Sequence, residues 1–261
     1  MTVRSKDNLV LVNAFLTNSL VLQGLIDYLG RYVRVHFIDL PGFISHVPPL
    51  DEVTLENYAA YVRSRIDDLN LDSYLLGGIS FGFAVISHLE HDKRCKGVVA
   101  ITPYLSSRWL NLGLMKKSTY SILVHLTLAF EMHSRIWNHR LFHRVFHWYS
   151  DYPSDRVETL LNEIEGRTFF ETARIILTHR KPCRFQNLPH VLILSHSDKT
   201  IKNGPLLDFF EKNIDRLKVV RADIDHYPPE VSEDYFQARL SQEDMQDIIV
   251  FFGGQSPVSF S

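Results

Sequence analysis

The sequence is poor in cysteine, with only Cys95 and Cys183 in 261 residues. Two thiols make no disulfide framework of the kind that staples small secreted domains, and they fit a reducing compartment. Charge of one sign is also missing. Lys and Arg number 28 against 30 Asp and Glu, for a formal net charge of −2 and a pI near 6.7. A nucleic-acid-binding domain usually carries a basic stripe, so no nucleic-acid partner is expected. No run is long and apolar enough to span a bilayer. The first residues, Met1 to Asn8, lack the apolar core of a signal peptide. These absences lead to the expectation of a soluble cytoplasmic protein. Internal repeats and low-complexity tracts are absent too.

What the chain does have is apolar mass. Hydrophobic residues make up 45%, enough for one large domain with a substantial core and an inserted subdomain. Aromatics and histidines are plentiful, at 17 Phe, 11 Tyr, 3 Trp and 13 His.

Strands and helices alternate along most of the chain. Leu9 to Asn13, Val33 to Asp39, Ser73 to Ile79, Gly97 to Thr102, Pro189 to Leu194 and Leu217 to Ile224 read as strands. Helical spacing appears at Ser19 to Leu29, Thr54 to Leu69, Leu206 to Asn213 and Asp234 to Phe252. Such alternation implies β-α-β units and a mostly parallel sheet flanked by helices. Leu9–Val12, Tyr74–Leu76, Val98–Ile101 and Val191–Leu194 are nearly all apolar, as in strands covered on both faces. Val33–Phe37 and Leu217–Arg221 mix in charge and read as the sheet edges. The rhythm stops between about Ser106 and Lys181, where only helical and aromatic segments occur. The expected organisation is therefore an α/β core over 1–105, a helical cap over 106–185, and the rest of the core over 186–261. The tail from Gly253 to Ser261 reads as frayed.

Gly78-Ile79-Ser80-Phe81-Gly82 follows the third strand and opens a helix. The pattern G-x-S-x-G marks a sharp strand-to-helix turn that exposes the serine hydroxyl. By itself it occurs by chance in about one chain in ten of this length, but the flanking strand and helix give it context. A serine hydroxyl needs a base, and the base a carboxylate to orient it. Ligands of open parallel sheets bind beyond the carboxyl ends of strands. Asp198 and His226 both sit just after late strands, in the chain order serine, acid, histidine. Asp223 and Asp225 are rival acids; a neighbour of His226 in sequence seldom faces its ring, which ranks Asp198 first.

With Gly78–Gly82, Asp39-Leu40-Pro41-Gly42, Asp198 and His226 in place, the chain resembles the α/β-hydrolase superfamily. The resemblance is to the cap-bearing type that includes small esterases and carbon–carbon bond hydrolases, and it covers nearly the whole chain. It implies the α/β-hydrolase fold, a catalytic set of Ser80, Asp198 and His226, and no cofactor or metal. It also implies an oxyanion hole from the backbone N–H groups of Phe81 and Phe15. The chain departs from the family in two ways. Asn13-Ala14 stands where His-Gly is usual, and the first strand begins almost at residue 1, without the customary N-terminal hairpin.

Within the expected cap, His139, His143 and His147 recur every four residues and suit one helix face. Zinc sites usually draw ligands from more than one element, so this ladder is read as structural and no metal is expected. Trp137, Phe142 and Phe146 are expected to line an apolar acyl pocket over Ser80. A basic aromatic face resting on a membrane is the less favoured reading of the same segment. The expected function is a serine hydrolase cleaving a small or medium hydrophobic ester, thioester or lactone, as monomer or homodimer. The alternatives are an acyltransferase or carbon–carbon bond hydrolase on the same triad, or a non-catalytic ligand-binding member.

Overall fold

The computed structural model describes residues 6–149, 152–180, 187–196, 198–224, 226–228 and 230–253. Six strands form one sheet: β1 (Asn8–Val12), β2 (Arg34–Ile38), β3 (Tyr74–Ile79), β4 (Cys95–Ile101), β5 (His190–Ser195) and β6 (Leu217–Ala222). Their order is β2-β1-β3-β4-β5-β6, and every pairing is parallel. The apolar strands are the interior ones, and β3 and β5 are buried along their whole length. The two strands that mix in charge are the edges. Arg34 on β2 and Arg221 on β6 reach solvent, where a charge discourages pairing with another chain.

In chain order the helices are α1 (Gln23–Gly30), α2 (Leu55–Asp68) and α3 (Phe81–Ile86) in the first part. Between β4 and β5 come α4 (Leu114–Ala129), α5 (His133–Trp137), α6 (Arg140–Tyr149), α7 (Ser154–Glu163) and α8 (Gly166–Thr178). Then follow α9 (Asn203–Asn213), α10 (Glu233–Arg239) and α11 (Gln242–Gly253). α2 shows how sequence makes such a helix. Thr54 accepts a hydrogen bond from the Asn57 N–H at 3.1 Å and so caps the first turn. Leu55, Tyr58, Ala59, Val62 and Ile66 recur at helical spacing and all are buried. Each large apolar side chain among them contributes about 1.5–3 kcal/mol.

Two boundaries differ from the periodicity. α1 begins at Gln23 rather than Ser19, because side chains hold the preceding turn: Asp39 takes both the N–H and the hydroxyl of Ser19, and Asn18 takes the N–H of Val21. The segment from Asp234 to Phe252 is two helices, not one. Ser241 and Asp244 bond each other's backbone N–H groups, a reciprocal cap that starts α11 afresh.

α8 seats the helices between β4 and β5 on the rest of the molecule. The Glu165 N–H just before it donates to the Gly42 carbonyl at 2.9 Å. Thr172 shares a 3.1 Å hydrogen bond with Tyr58 of α2, and the Ile176 carbonyl accepts from Tyr104, which follows β4, at 2.8 Å. Apolar packing, α4 along α8 and α6 on α7, holds the remaining helices to this base.

The strand order has one consequence for function. From β1 the chain crosses to β2 on one side, and β3 returns to pair on the other. The two chain segments leaving β1 and β3 therefore diverge at their carboxyl ends and leave a crevice, the usual ligand site of open parallel sheets.

Candidate active site

Ser80 stands at that crevice, one residue beyond β3. Its backbone has φ 46° and ψ −113°, outside the regions a serine normally occupies. Strain of this kind costs about 1–3 kcal/mol and persists only where the surroundings fix it. Here the Ser80 N–H donates to the Ile101 carbonyl at 3.0 Å, and its own carbonyl accepts from Phe83 and Tyr104 at 3.0 and 3.1 Å. The flanking glycines are needed for close approach. A methyl on Gly82 would stand 2.5 Å from the carbonyl oxygens of Val12 and Asn13; one on Gly78 would stand 2.6 Å from the Phe83 backbone. No side chain fits at either position without separating α3 from the sheet.

The Ser80 hydroxyl lies 2.8 Å from Nε2 of His226, and Nδ1 of His226 lies 3.2 Å from Oδ2 of Asp198. An ionised carboxylate only accepts, so Nδ1 carries the proton and Nε2 faces the hydroxyl as acceptor. Both side chains are almost wholly buried, 5% and 1% exposed. Burial pushes the Asp198 carboxyl up. The hydrogen bond and charge of His226 and the N–H groups of Ile201 and Thr200 outweigh it and hold the group below its ordinary value. Those two N–H groups bond Oδ1 at 2.9 and 2.7 Å, so the carboxylate is fixed before it meets the ring. Tyr227 packs edge-on against His226, and Tyr152 edge-on against Tyr227. Burial, then the charge of Asp198, raises the Tyr227 phenol and keeps it neutral.

The segment after β1 supplies the other wall. Asn13 is fully buried. Its amide donates to the carbonyls of Ala14 and Thr17, at 3.0 and 2.7 Å, and its oxygen accepts from Leu40 at 2.7 Å. The Thr17 hydroxyl accepts from the Ala14 N–H at 2.9 Å. These bonds brace the turn that carries Phe15. The N–H groups of Phe15 and Phe81 have no hydrogen-bond partner among the described residues.

No family model and no curated protein matches the sequence. Solved structures do. An epoxide hydrolase from Bacillus megaterium superposes with a TM-score of 0.65 at 16% identity, over 95% of this chain and 94% of that one. MenH from S. aureus gives 0.63 at 14% identity over 97% and 96%, and the carboxylesterase CesB from Bacillus subtilis gives 0.62 at 14% over 97% and 86%. The chain has the α/β-hydrolase fold. The bottromycin epimerase BotH shares the fold at a TM-score of 0.62 and 16% identity, so the architecture by itself does not select a reaction.

Within this α/β-hydrolase fold the remaining candidate residues are placed as follows. Trp137, Phe142 and Phe146 meet one another, with ring centroids 5.4 to 6.3 Å apart. All three pack on Phe169 of α8, and Phe169 stacks on Phe15 at 5.3 Å. Phe169 was not singled out from the sequence, yet it joins the aromatic cluster to the turn beside Ser80, and nothing in its spacing sets it apart from Phe170. A separate cavity of about 30 Å³ opens beside His226, walled by Ala14, Leu25, Ile79, Ile101 and Tyr152 among others. The histidine ladder is broken. His139 precedes α6, and its Nδ1 accepts from the Leu141 N–H at 3.1 Å; His143 bonds the Trp137 carbonyl at 2.9 Å. Among the described residues no three His, Cys, Asp or Glu side chains gather as a metal site. Asp223 is exposed, and it is Asp198 that bonds the His226 ring. Asp225 and Cys183 lie outside the described residues; Cys95 is buried, and burial pushes its thiol up to about 11. No helix among the described residues is long and apolar enough to cross a membrane.

Proposed function

We propose that the protein is a serine hydrolase cleaving small or medium hydrophobic esters, thioesters or lactones through an acyl-enzyme on Ser80. The observation that carries this reading is the hydrogen-bonded sequence Ser80, His226, Asp198 at 2.8 and 3.2 Å. Ser80 attacks the acyl carbonyl and His226 takes its proton. Asp198 holds the ring and favours the imidazolium that forms. The carbonyl oxygen, now negative, receives the N–H groups of Phe15 and Phe81. His226 then returns its proton to the leaving group, and water, activated the same way, releases the acyl group. No cofactor or metal enters these steps. The helices between β4 and β5 act as a cap, with Trp137, Phe142 and Phe146 roofing the acyl chain. A reducing, cytoplasmic setting suits a chain with two cysteines.

An acyltransferase or carbon–carbon bond hydrolase would use the same three residues, and a non-catalytic binding member would keep the pocket alone. A fluorophosphonate probe separates the last from the rest. It should label the wild type at Ser80, and Ser80→Ala should lose both labelling and hydrolysis of p-nitrophenyl butyrate at an unchanged melting temperature. Asp198→Asn should lower kcat by roughly 10⁴-fold, and Asp223→Asn should leave it near wild type. An unlabelled wild type would make the protein a binding member; activity surviving in Ser80→Ala would remove that serine from the nucleophile role.

A further inference from the structure

Among the described residues eleven large hydrophobic side chains are exposed, and ten of them lie between Leu114 and Trp148. Such side chains normally scatter singly over a surface, and a large contiguous set marks an interaction site. Leu114 and Met115 are 82% and 85% exposed, Phe130 69% and Trp148 79%. On α4, Met115, Ile122 and Leu126 recur at spacings of seven and four, so they share one stripe. Val124 and Thr127 on the other side of the helix are buried. On α6 the apolar arc is wide. Phe142 and Phe146 turn inward onto Trp137, while Leu141, Val145 and Trp148 face solvent at i, i+4 and i+7.

The charge of the same segment is one-sided. From Leu114 to Tyr149 there are five Lys and Arg and one carboxylate, Glu131. This is a net +4 in a chain whose total is −2. Lys116, Arg135, Arg140 and Arg144 are exposed and form no salt bridge among the described residues. Apolar stripes edged by unpaired cations suit one occupant best. Phosphate headgroups take the cations while the apolar side chains enter the acyl boundary. A second copy fits poorly, because a symmetric dimer through this face would set the same positive surface against itself.

We infer that the outward face of α4 and α6 docks on the surface of an anionic lipid bilayer. The helices lie in the interface plane and do not cross it. If the proposed hydrolase reading holds, this docking would bring Phe142, Phe146 and the site beneath them to acyl substrates dissolved in the membrane. The docking itself does not depend on that reading.

The test uses the full chain and two sets of vesicles, phosphatidylcholine alone and phosphatidylcholine with about 30% phosphatidylglycerol. Wild type and Ser80→Ala should both float with the anionic set, at least about tenfold more than with the neutral one, and tryptophan emission should shift to the blue. The triple variant Met115→Ser/Ile122→Ser/Trp148→Ser should lose about tenfold in binding with unchanged circular dichroism, since these side chains are mostly exposed. Arg140→Glu/Arg144→Glu should lose the preference for anionic lipid, as should the wild type at about 1 M salt, where charges are screened within about 3 Å. The inference is overturned if the wild type floats with neither set, or if the triple variant binds as well as the wild type. It is also overturned if the face instead forms a dimer that the triple variant dissolves in sedimentation equilibrium. Ser80→Ala that floats normally but hydrolyses nothing keeps the two readings apart.

Discussion

Asn13 uses every polar atom of its side chain, two bonds from the amide and one to the oxygen, at a site with no exposed surface. In place of the histidine that the family resemblance leads one to expect, this chain has a brace that ties the turn carrying Phe15 to Leu40 beyond β2. Asn13→Ala would leave the Leu40 N–H and the Thr17 carbonyl unpaired in the interior, at about 1–3 kcal/mol for each group. The expected loss is about 3 kcal/mol of stability in urea unfolding, together with a fall in kcat at nearly constant KM if, as proposed, the Phe15 N–H is used most in the transition state. Asn13→His should not restore either quantity, since an imidazole has two polar atoms for three bonds. A loss below about 1 kcal/mol would mean that water takes over these bonds and that the brace is dispensable.

At the scale of elements, α3 and α8 define the site from opposite sides. α3 can lie against β1 only because Gly82 has no side chain, and this fixes Ser80 at the end of β3. α8 places Phe169 between Phe15 and the aromatic side chains of α5 and α6. If those aromatics roof the acyl chain, each added methylene gains about 0.8 kcal/mol, close to fourfold in rate. kcat/KM should then rise from acetyl to butyryl or hexanoyl esters and fall once the space is full. Phe146→Ala should move that optimum to a longer chain. An optimum at acetyl, unmoved by the substitution, would shift the acyl group to the small cavity beside His226. Lower stability with an unmoved optimum would make Phe146 part of the block's own core.

The molecule as a whole is held at the other end of the sheet by a charged cluster far from Ser80. Asp92 accepts from Arg63 at 2.6 Å, from Arg94 at 2.7 Å and from the Tyr74 hydroxyl at 2.9 Å, joining α2, β3 and the entry to β4. The Arg94 hydrogen bonds come first in holding its carboxyl well below the usual carboxylate range; burial opposes them, and the Tyr74 bond and Arg94 charge assist. A depressed folded value means that the stabilisation is complete above the unfolded value of 3.8 and is lost as pH falls through the folded one. Asp92→Asn should therefore cost about 2 kcal/mol near neutrality, or about 4–8 °C in melting temperature for a chain of this size. Its melting temperature should also vary less than the wild type's below pH 4, and, if the proposed hydrolase reading holds, turnover of p-nitrophenyl butyrate at 25 °C should not change. An equal acid slope in both proteins would assign acid unfolding to other carboxylates.

The sequence by itself determined the strands, their nature and the elbow. Continuous apolar runs in β1, β3, β4 and β5 can be stable only between two covered faces, and charge in β2 and β6 is tolerated only at an edge. Gly78 and Gly82 were legible because a turn packed that closely, Gly82 on the end of β1 and Gly78 on the start of α3, admits no other residue. The chain order of Ser80, Asp198 and His226 was legible too, and so was the ranking of Asp198 above Asp223, but the contact itself was not. It depends on which carboxylate the folded loops bring to 3.2 Å of the ring, a distance no spacing along the chain encodes. The reciprocal cap at Ser241 and Asp244 was present in the sequence and outweighed by the apolar rhythm around it. Only the tertiary structure decided what Asn13 does, where Phe169 lies, and which half of the α6 arc is covered. Periodicity tells which side chains share a helix face. Whether that face meets Trp137 or water is set by where the other helices come to rest, and this is why Phe142 is packed while Trp148 is mostly exposed.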